Sequence, residues 1–174
     1  NTTNIFNNNR LGISDSFETG ESLTLGINYK REDKNNLNNF LDINLATVFR
    51  LEEEEFIPSN TTINKKNSNI FGNIKTSFNE LVDINYNFAI DNNYSKFEYN
   101  EFDSVFKFGK IKTEINFLKE SNSMGGESFV GNNTTYVVDD KNSFSFSTRR
   151  NRKLDLTEYY NLVYEYKNDC LTAG

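Results

Sequence analysis

Four cationic side chains cluster within five residues of one another: Arg149, Arg150, Arg152 and Lys153. Planar guanidinium groups bind phosphate through paired hydrogen bonds, so the cluster is suited to a phosphorylated ligand. The alternative is a solvated loop whose long side chains reach from the ends of strands into water. Phosphate contact is therefore one candidate chemistry for this sequence.

Four consecutive glutamates at 52–55 form the clearest acidic run. Carboxylate oxygens are the ligands that divalent cations prefer. A run of like charges is more often a solvated, self-repelling loop, and we favour that interpretation here.

Several chemistries are excluded by residues that the sequence lacks. It has no His, so it offers no Ser-His or Cys-His catalytic pair and no His-ligated zinc. One Cys closes no disulfide within these residues. The formal net charge of -6 is opposite to that of most nucleic-acid-binding proteins. We expect no catalysis, no cofactor, no metal and no nucleic-acid partner.

The secondary structure that must position these groups is indicated by a two-residue period of hydrophobicity. Apolar residues alternate with polar ones along most of the chain, which is typical of β-strands. The run 82–90 is the clearest example, with Val82, Ile84, Tyr86 and Phe88 alternating with Asp83, Asn85 and Asn87. Similar sets recur at 23–29, 41–45, 70–78, 102–108, 111–117, 136–138, 144–146 and 156–166. About ten antiparallel strands are predicted, with no long helix.

One change of parity predicts an irregular strand. Phe97 and Tyr99 are odd-numbered, whereas the apolar run from Phe102 is even-numbered. One extra residue near Asn100-Glu101 restores a common face, so we expect a bulge or a turn there. A bulge keeps residues 95–109 as one strand.

The predicted connections alternate in length. Tight ones fall near 80–81, 109–110, 140–141 and 168–169, and longer or more polar ones at 51–69, 91–94, 120–132 and 150–155. Short turns on one side and longer loops on the other are typical of outer-membrane β-barrels. Tyr29, Tyr99, Tyr136, Tyr159 and Tyr166 near strand ends suit an aromatic girdle. A soluble β-sandwich or adhesin-type module is the alternative fold, but charged and Asn partners suit a wet lumen better.

Three blocks resemble one family in the same order along the chain. They are 9–26 (beginning Asn-Arg-Leu-Gly), 45–50 with Ile57-Pro58 after it, and 156–170 (Leu-Thr-Glu-Tyr-Tyr to Asn-Asp-Cys). Together they resemble the LPS-assembly outer-membrane protein family, LptD, in its alphaproteobacterial form. The third block is the most specific of the three.

The resemblance implies the later, C-terminal part of a large transmembrane outer-membrane β-barrel in the cell outer membrane. We treat residues 1–174 as a partial barrel domain that lacks the N-terminal periplasmic domain, the first strands and the last strands. The implied function is insertion of lipopolysaccharide into the outer leaflet. The implied partners are lipopolysaccharide, outer-membrane lipid, an LptE-like plug lipoprotein and an LptA-like periplasmic bridge protein. A porin-like barrel for solute transport is the alternative within the same fold class.

The resemblance also assigns candidate roles to individual residues. The cation cluster would contact lipopolysaccharide phosphates. Cys170 lies where the family places disulfide-forming Cys, joined to Cys in the N-terminal domain, and the periplasm permits such bonds. Asp169 stands where the familiar enterobacterial pattern has a second Cys, so only one bridge can form from this position. A free Cys at a strand edge is the alternative.

Overall fold

Ten antiparallel strands form a single sheet, and each strand is hydrogen-bonded to the next one along the chain. The computed structural model describes residues 5–6, 18–57, 62–121, 126–167 and 172–173. The strands are β1 (Ser22–Glu32), β2 (Phe40–Arg50), β3 (Ile70–Phe78), β4 (Val82–Ile90), β5 (Phe97–Phe108), β6 (Ile111–Glu120), β7 (Ser128–Val137), β8 (Asn142–Asn151), β9 (Leu156–Lys167) and β10 (Thr172–Ala173). This architecture confirms the predicted all-β antiparallel meander, which is that of a partial β-barrel.

Helical structure is limited to one short turn in the part of the chain that the structure describes. Residues Thr62–Asn64 form a 3-10 helix between β2 and β3. No helix among the described residues is long and apolar enough to cross a membrane.

The connections lie alternately at the two ends of the sheet. Tight turns join β3 to β4 and β5 to β6 at one end, which we call the short-turn end. Asn79 and Glu80 both have positive φ, and Leu81 N–H donates to the Phe78 carbonyl at 2.9 Å. Such a turn matches the natural twist of a hairpin.

The opposite end, the long-loop end, carries the connections from β2 to β3, from β4 to β5, from β6 to β7 and from β8 to β9. The tight turns predicted near 80–81, 109–110 and 140–141 do lie between strands, and the one at 168–169 lies outside the described residues. Length does not separate the two ends completely, because the connection 33–39 at the short-turn end is longer than 91–96 or 152–155 at the other end. Two boundaries differ from the prediction, because β7 already begins at Ser128 and β8 continues to Asn151. Arg149 and Arg150 therefore lie in a strand and not in the loop predicted at 150–155.

A bulge interrupts β5, as the parity change predicts, but at a different residue. Ala89 pairs with Tyr99 and Ile90 pairs with Phe97, so Glu98 is the extra residue. The bulge thus precedes the Asn100-Glu101 position expected from the sequence. Its consequence is that Tyr99 lies on the face opposite Phe97.

A second bulge, in β9, was not predicted. Arg149 pairs with Tyr159 and Arg150 with Thr157, which leaves Glu158 as the extra residue. Leu156 consequently lies on the face opposite Tyr160, whereas simple alternation placed the two together. Because side chains alternate strictly, one inserted residue transfers the rest of the strand to the other face.

Candidate functional site

The sheet has one strongly apolar face, which we call the apolar face. Register pairs Ile27 with Leu45, Ile74 with Tyr86, and Phe102 with Phe117 on this side. The face is open: Ile27 and, on β9, Leu162 each expose 71% of their surface. Exposed apolar area of this extent marks a contact with lipid or with another apolar surface.

Three of the five tyrosines predicted for an aromatic girdle lie on the apolar face near the short-turn end. They are Tyr29, Tyr136 and Tyr166. Tyr99 and Tyr159 lie on the opposite face, Tyr99 because of the bulge at Glu98 and Tyr159 by simple alternation with Tyr160, so the girdle prediction is wrong for these two.

The opposite side of the sheet, the polar face, carries side-chain networks of amides and carboxylates. On β1 and β2, Asn28 Nδ2 donates to Asn44 Oδ1 at 2.7 Å and to Asp42 Oδ1 at 2.9 Å. Asn44 Nδ2 donates in turn to Asp42 Oδ1 at 2.9 Å. These side chains hydrogen-bond to one another, and their remaining donors and acceptors face solvent.

A second network on the polar face crosses β3, β4 and β5. Asn73 Nδ2 donates to Asn87 Oδ1 at 2.7 Å and to Asn85 Oδ1 at 3.0 Å. Asn87 Nδ2 donates to Glu101 Oε2 at 2.8 Å. Each of these side chains has the parity that β-pairing assigns to one face, so the strands present an almost continuous hydrophilic surface.

A small apolar cluster interrupts the polar face near the long-loop end. Ile5, Ala46 and Val48 are buried there and Phe71 packs against them. Phe6 lies so close to β1 that a Cβ on Gly26 would meet its ring at 2.2 Å. Sequence alternation did not reveal this cluster, because it depends on residues 5–6 folding onto β1 and β2.

Arg50 ties this end of β2 to two other segments. Its Nε donates to the Ile63 carbonyl at 2.7 Å and its Nη1 to the Thr19 carbonyl at 3.1 Å. Its Nη2 also forms an ion pair with Glu18. The side chains of Arg50 and Glu18 expose only 1% and 9% of their surface, so this is a buried pair on the polar face.

Acidic groups in the long loops serve local structure. Glu54 accepts hydrogen bonds from the Thr19 hydroxyl and, at 3.3 Å, from the Phe56 amide. The Thr19 bond is the main reason that the pKa of Glu54 lies below its usual value. No group of three metal-binding side chains occurs among residues that the structure describes. The arrangement of Glu54 fits the structural interpretation of the acidic run.

The four predicted cations do not converge on one point. Arg149 lies on the polar face, where its guanidinium stacks 4.0 Å from the Phe129 ring and its Nε lies 2.8 Å from Glu158 Oε2. Arg150 has the parity of the apolar face and pairs with Asp155. Two of the four charges are thus matched by carboxylates.

The other two cations belong to the 152–155 turn. The Arg152 guanidinium lies 5.4 Å from the centre of the Phe117 ring, on the apolar face. Lys153 Nζ donates to the Gly126 carbonyl at 3.1 Å. Both side chains are exposed.

Comparison with family models gives one match, to LptD, the LPS transport system D family, over residues 1–124. The chain belongs to the LptD family. This membership gives it a role in lipopolysaccharide transport and assembly at the outer membrane, and the family is not one of enzymes. No curated protein matches the chain.

The LptD match covers two of the three blocks that carry the sequence resemblance. The blocks at 9–26 and 45–58 lie within it, and the block at 156–170 lies beyond it. The cation cluster at 149–153 is also outside the matched residues. Cys170 lies outside the residues that the structure describes, so its pairing stays a prediction.

Sequence reasoning missed one cation near the cluster. Lys119 lies on the apolar face of β6, two residues after Phe117, and opposite Ser128 of β7. Its parity with Phe117 was the available signal, but a lysine at the end of an apolar run is not by itself evidence of a site. Only the pairing of β6 with β7 shows that Lys119 and Arg152 lie on either side of Ser128.

Proposed function

We propose that this LptD-family chain forms part of the outer-membrane β-barrel that inserts lipopolysaccharide into the outer leaflet. The observation that supports the proposal is the two-faced sheet. Its apolar face is exposed most fully on β1, β8 and β9 and is partly exposed on inner strands such as β4, and its other face carries the amide and carboxylate networks. A membrane barrel needs this division, because lipid contacts the outer wall while the lumen stays hydrated.

Strand length agrees with a transmembrane position. Strands β1 to β9 have 9 to 12 residues. A tilted strand needs about 9–11 residues to cross the hydrocarbon core. In this arrangement the short-turn end faces the periplasm and the long-loop end faces outside, as in other outer-membrane barrels.

The finer assignments are proposals of the same kind. Residues 1–174 would be the later part of an alphaproteobacterial-type barrel, with further strands pairing at its edges. An LptE-like lipoprotein would occupy the lumen against the polar face. An LptA-like protein would deliver lipid from the periplasm. Cys170 would form one disulfide to a Cys outside these residues. The test compares the gel mobility of the full-length protein under reducing and non-reducing conditions with that of the Cys170→Ser variant.

The deciding experiment depletes the full-length protein in its host. Newly made lipopolysaccharide at the cell surface is followed by selective labelling, together with the lipid that remains in the inner membrane. We expect surface lipid to fall and inner-membrane lipid to accumulate. Assembly of an unrelated barrel in the same cells is the control for general envelope damage.

The alternative is a porin-like barrel, whose polar face would line a solute channel. Depletion would then reduce solute uptake and leave surface lipopolysaccharide unchanged, and that result would refute the proposed function. A soluble β-sandwich needs two packed sheets, whereas the described strands form a single sheet.

A further inference from the structure

Two exposed cations lie on either side of β7 at the long-loop end of the apolar face. Lys119 of β6 pairs with Ser128 of β7, and the Arg152 amide donates to the Ser128 carbonyl at 2.7 Å. Ser128 therefore lies between them. We call Lys119 and Arg152 the cation pair.

Arg152 is held in place by an aromatic ring rather than by a carboxylate. Its guanidinium lies over Phe117, 5.4 Å from the ring centre. Phe117 is two residues from Lys119 on the same strand, which is roughly 7 Å along the backbone. A guanidinium stacked on a ring keeps its N–H edge available for hydrogen bonds.

The cation pair differs from the two arginines of β8 in lacking a local acidic partner, as Lys153 also does. Arg149 has Glu158 and Arg150 has Asp155. Within the described ranges, Lys119 and Arg152 make no ion pair with a carboxylate. Their positive charge is therefore available to an external anion.

The position of the cation pair at the edge of an apolar surface indicates which kind of anion could bind there. Phe117 aligns with Phe102 on one side and Val130 on the other, so the apolar surface extends up to the cations. A ligand that contacts both must combine apolar chains with an anionic head. On the proposed orientation this boundary is the outer leaflet.

We infer that Lys119 and Arg152 bind the phosphate of a lipid headgroup on the outer wall of the barrel. We assign the phosphate to lipopolysaccharide of the outer leaflet rather than to a glycerophospholipid. This inference rests on the proposed function, since it requires the apolar face to contact the membrane. In this inference the site on the outer wall consists of Arg152 and Lys119, whereas Arg149 lies on the face that would line the lumen.

Lipid titration of the purified full-length protein in mild detergent tests the site. The probes are the bisphosphorylated glycolipid anchor of lipopolysaccharide, the same glycolipid without phosphates, and phosphatidylglycerol. We expect the double variant Lys119→Gln/Arg152→Gln to bind the phosphorylated glycolipid about tenfold more weakly, because two charge-assisted contacts are lost. The variant Lys119→Arg/Arg152→Lys retains both charges and should retain most of the affinity.

A matched control removes two exposed charges at the short-turn end, as Lys34→Gln/Lys141→Gln. This control should bind as the wild type does. The inference is overturned if it weakens binding equally, if the Lys119/Arg152 variant binds normally, or if phosphate makes no difference. Equal affinity for phosphatidylglycerol overturns the assignment to lipopolysaccharide.

Failure of this inference is distinguishable from failure of the proposed function. Surface labelling after depletion tests transport without reference to the wall site. Normal lipid binding by the variants, combined with loss of surface lipopolysaccharide on depletion, would reject only the site.

Discussion

Replacing Arg50 with Met in the full-length protein should release the long loop between β2 and β3. The substitution removes the hydrogen bonds to Ile63 and Thr19 and the cation that faces Glu18. Met fills much of the same space without a charge. The backbone of β2 itself keeps its pairing, so the expected effect is a local opening and not a loss of the sheet.

The magnitude follows from the burial of the pair. Breaking a buried ion pair by removing one partner typically costs about 3–5 kcal/mol, because the remaining charge is left without compensation. Glu18 is slightly more exposed than Arg50 and can regain some water, so we take the lower end. About 3 kcal/mol corresponds to roughly a hundredfold increase in the population of the open loop.

Hydrogen exchange of residues 62–68 in the detergent-solubilised protein measures this opening. The Ser68 amide donates to the Val48 carbonyl at 2.9 Å, and it should exchange about a hundredfold faster in Arg50→Met if the loop detaches. Arg50→Lys should give an intermediate rate because it keeps the charge but loses the planar fork. Arg150→Met is the matched control, since Arg150 pairs with Asp155 in an exposed position.

The coupling between Arg50 and Glu18 is tested by a double-mutant cycle. The variant Arg50→Met/Glu18→Gln removes both charges and should exchange more slowly than Arg50→Met alone. Strictly additive effects, or an Arg50→Met rate equal to that of the wild type, would show that the buried pair does not hold the loop.

Three further predictions concern other parts of the sheet. In outer membranes, a water-soluble maleimide should label Asn28→Cys and spare Ile27→Cys, and equal labelling would contradict the two-faced assignment. Gly72→Ala should lower stability by about 1–3 kcal/mol in urea unfolding, because its Cβ would lie 2.0 Å from the Phe88 ring; an unchanged midpoint would refute this contact. The pKa of Asp91 lies below its usual value, chiefly because the Ser95 hydroxyl donates a hydrogen bond to its carboxylate. Its stabilising effect is therefore complete above the unfolded pKa and disappears as pH falls through the lower folded value. Pepsin cleavage within 91–96, relative to a reference site, should rise over that range, whereas Asp91→Asn should be cleaved without this pH dependence.

The fold class was predictable because strand alternation is a local property. Most of the strands carry a period-two pattern, although the first five residues of β7 fall in the predicted loop at 120–132. The polar residues between the apolar sets indicate the tight turns near 80–81 and 109–110. Family resemblance of three blocks, 9–26, 45–58 and the most specific one at 156–170, added the function class, which composition alone did not reach, and the family match covers the first two.

The candidate site was predictable only in part. The sequence indicated Arg152 but not Lys119, because the two are 33 positions apart and lie on either side of Ser128 only through the pairing of β6 with β7 and the turn after β8. The sequence also grouped Arg149 with Arg150, whereas strand parity places them on opposite faces.

Local alternation in the sequence was sufficient to predict a meander of amphipathic strands with a polar and an apolar side. The register of the strands was decided only by the tertiary structure. Bulges at Glu98 and Glu158 determine the faces on which Tyr99 and Leu156 lie. Tertiary structure also decided the packing of Ile5 against Val48. The physical reason is that alternation depends on neighbours two residues apart, whereas register and inward packing depend on which distant segments share hydrogen bonds and exclude water.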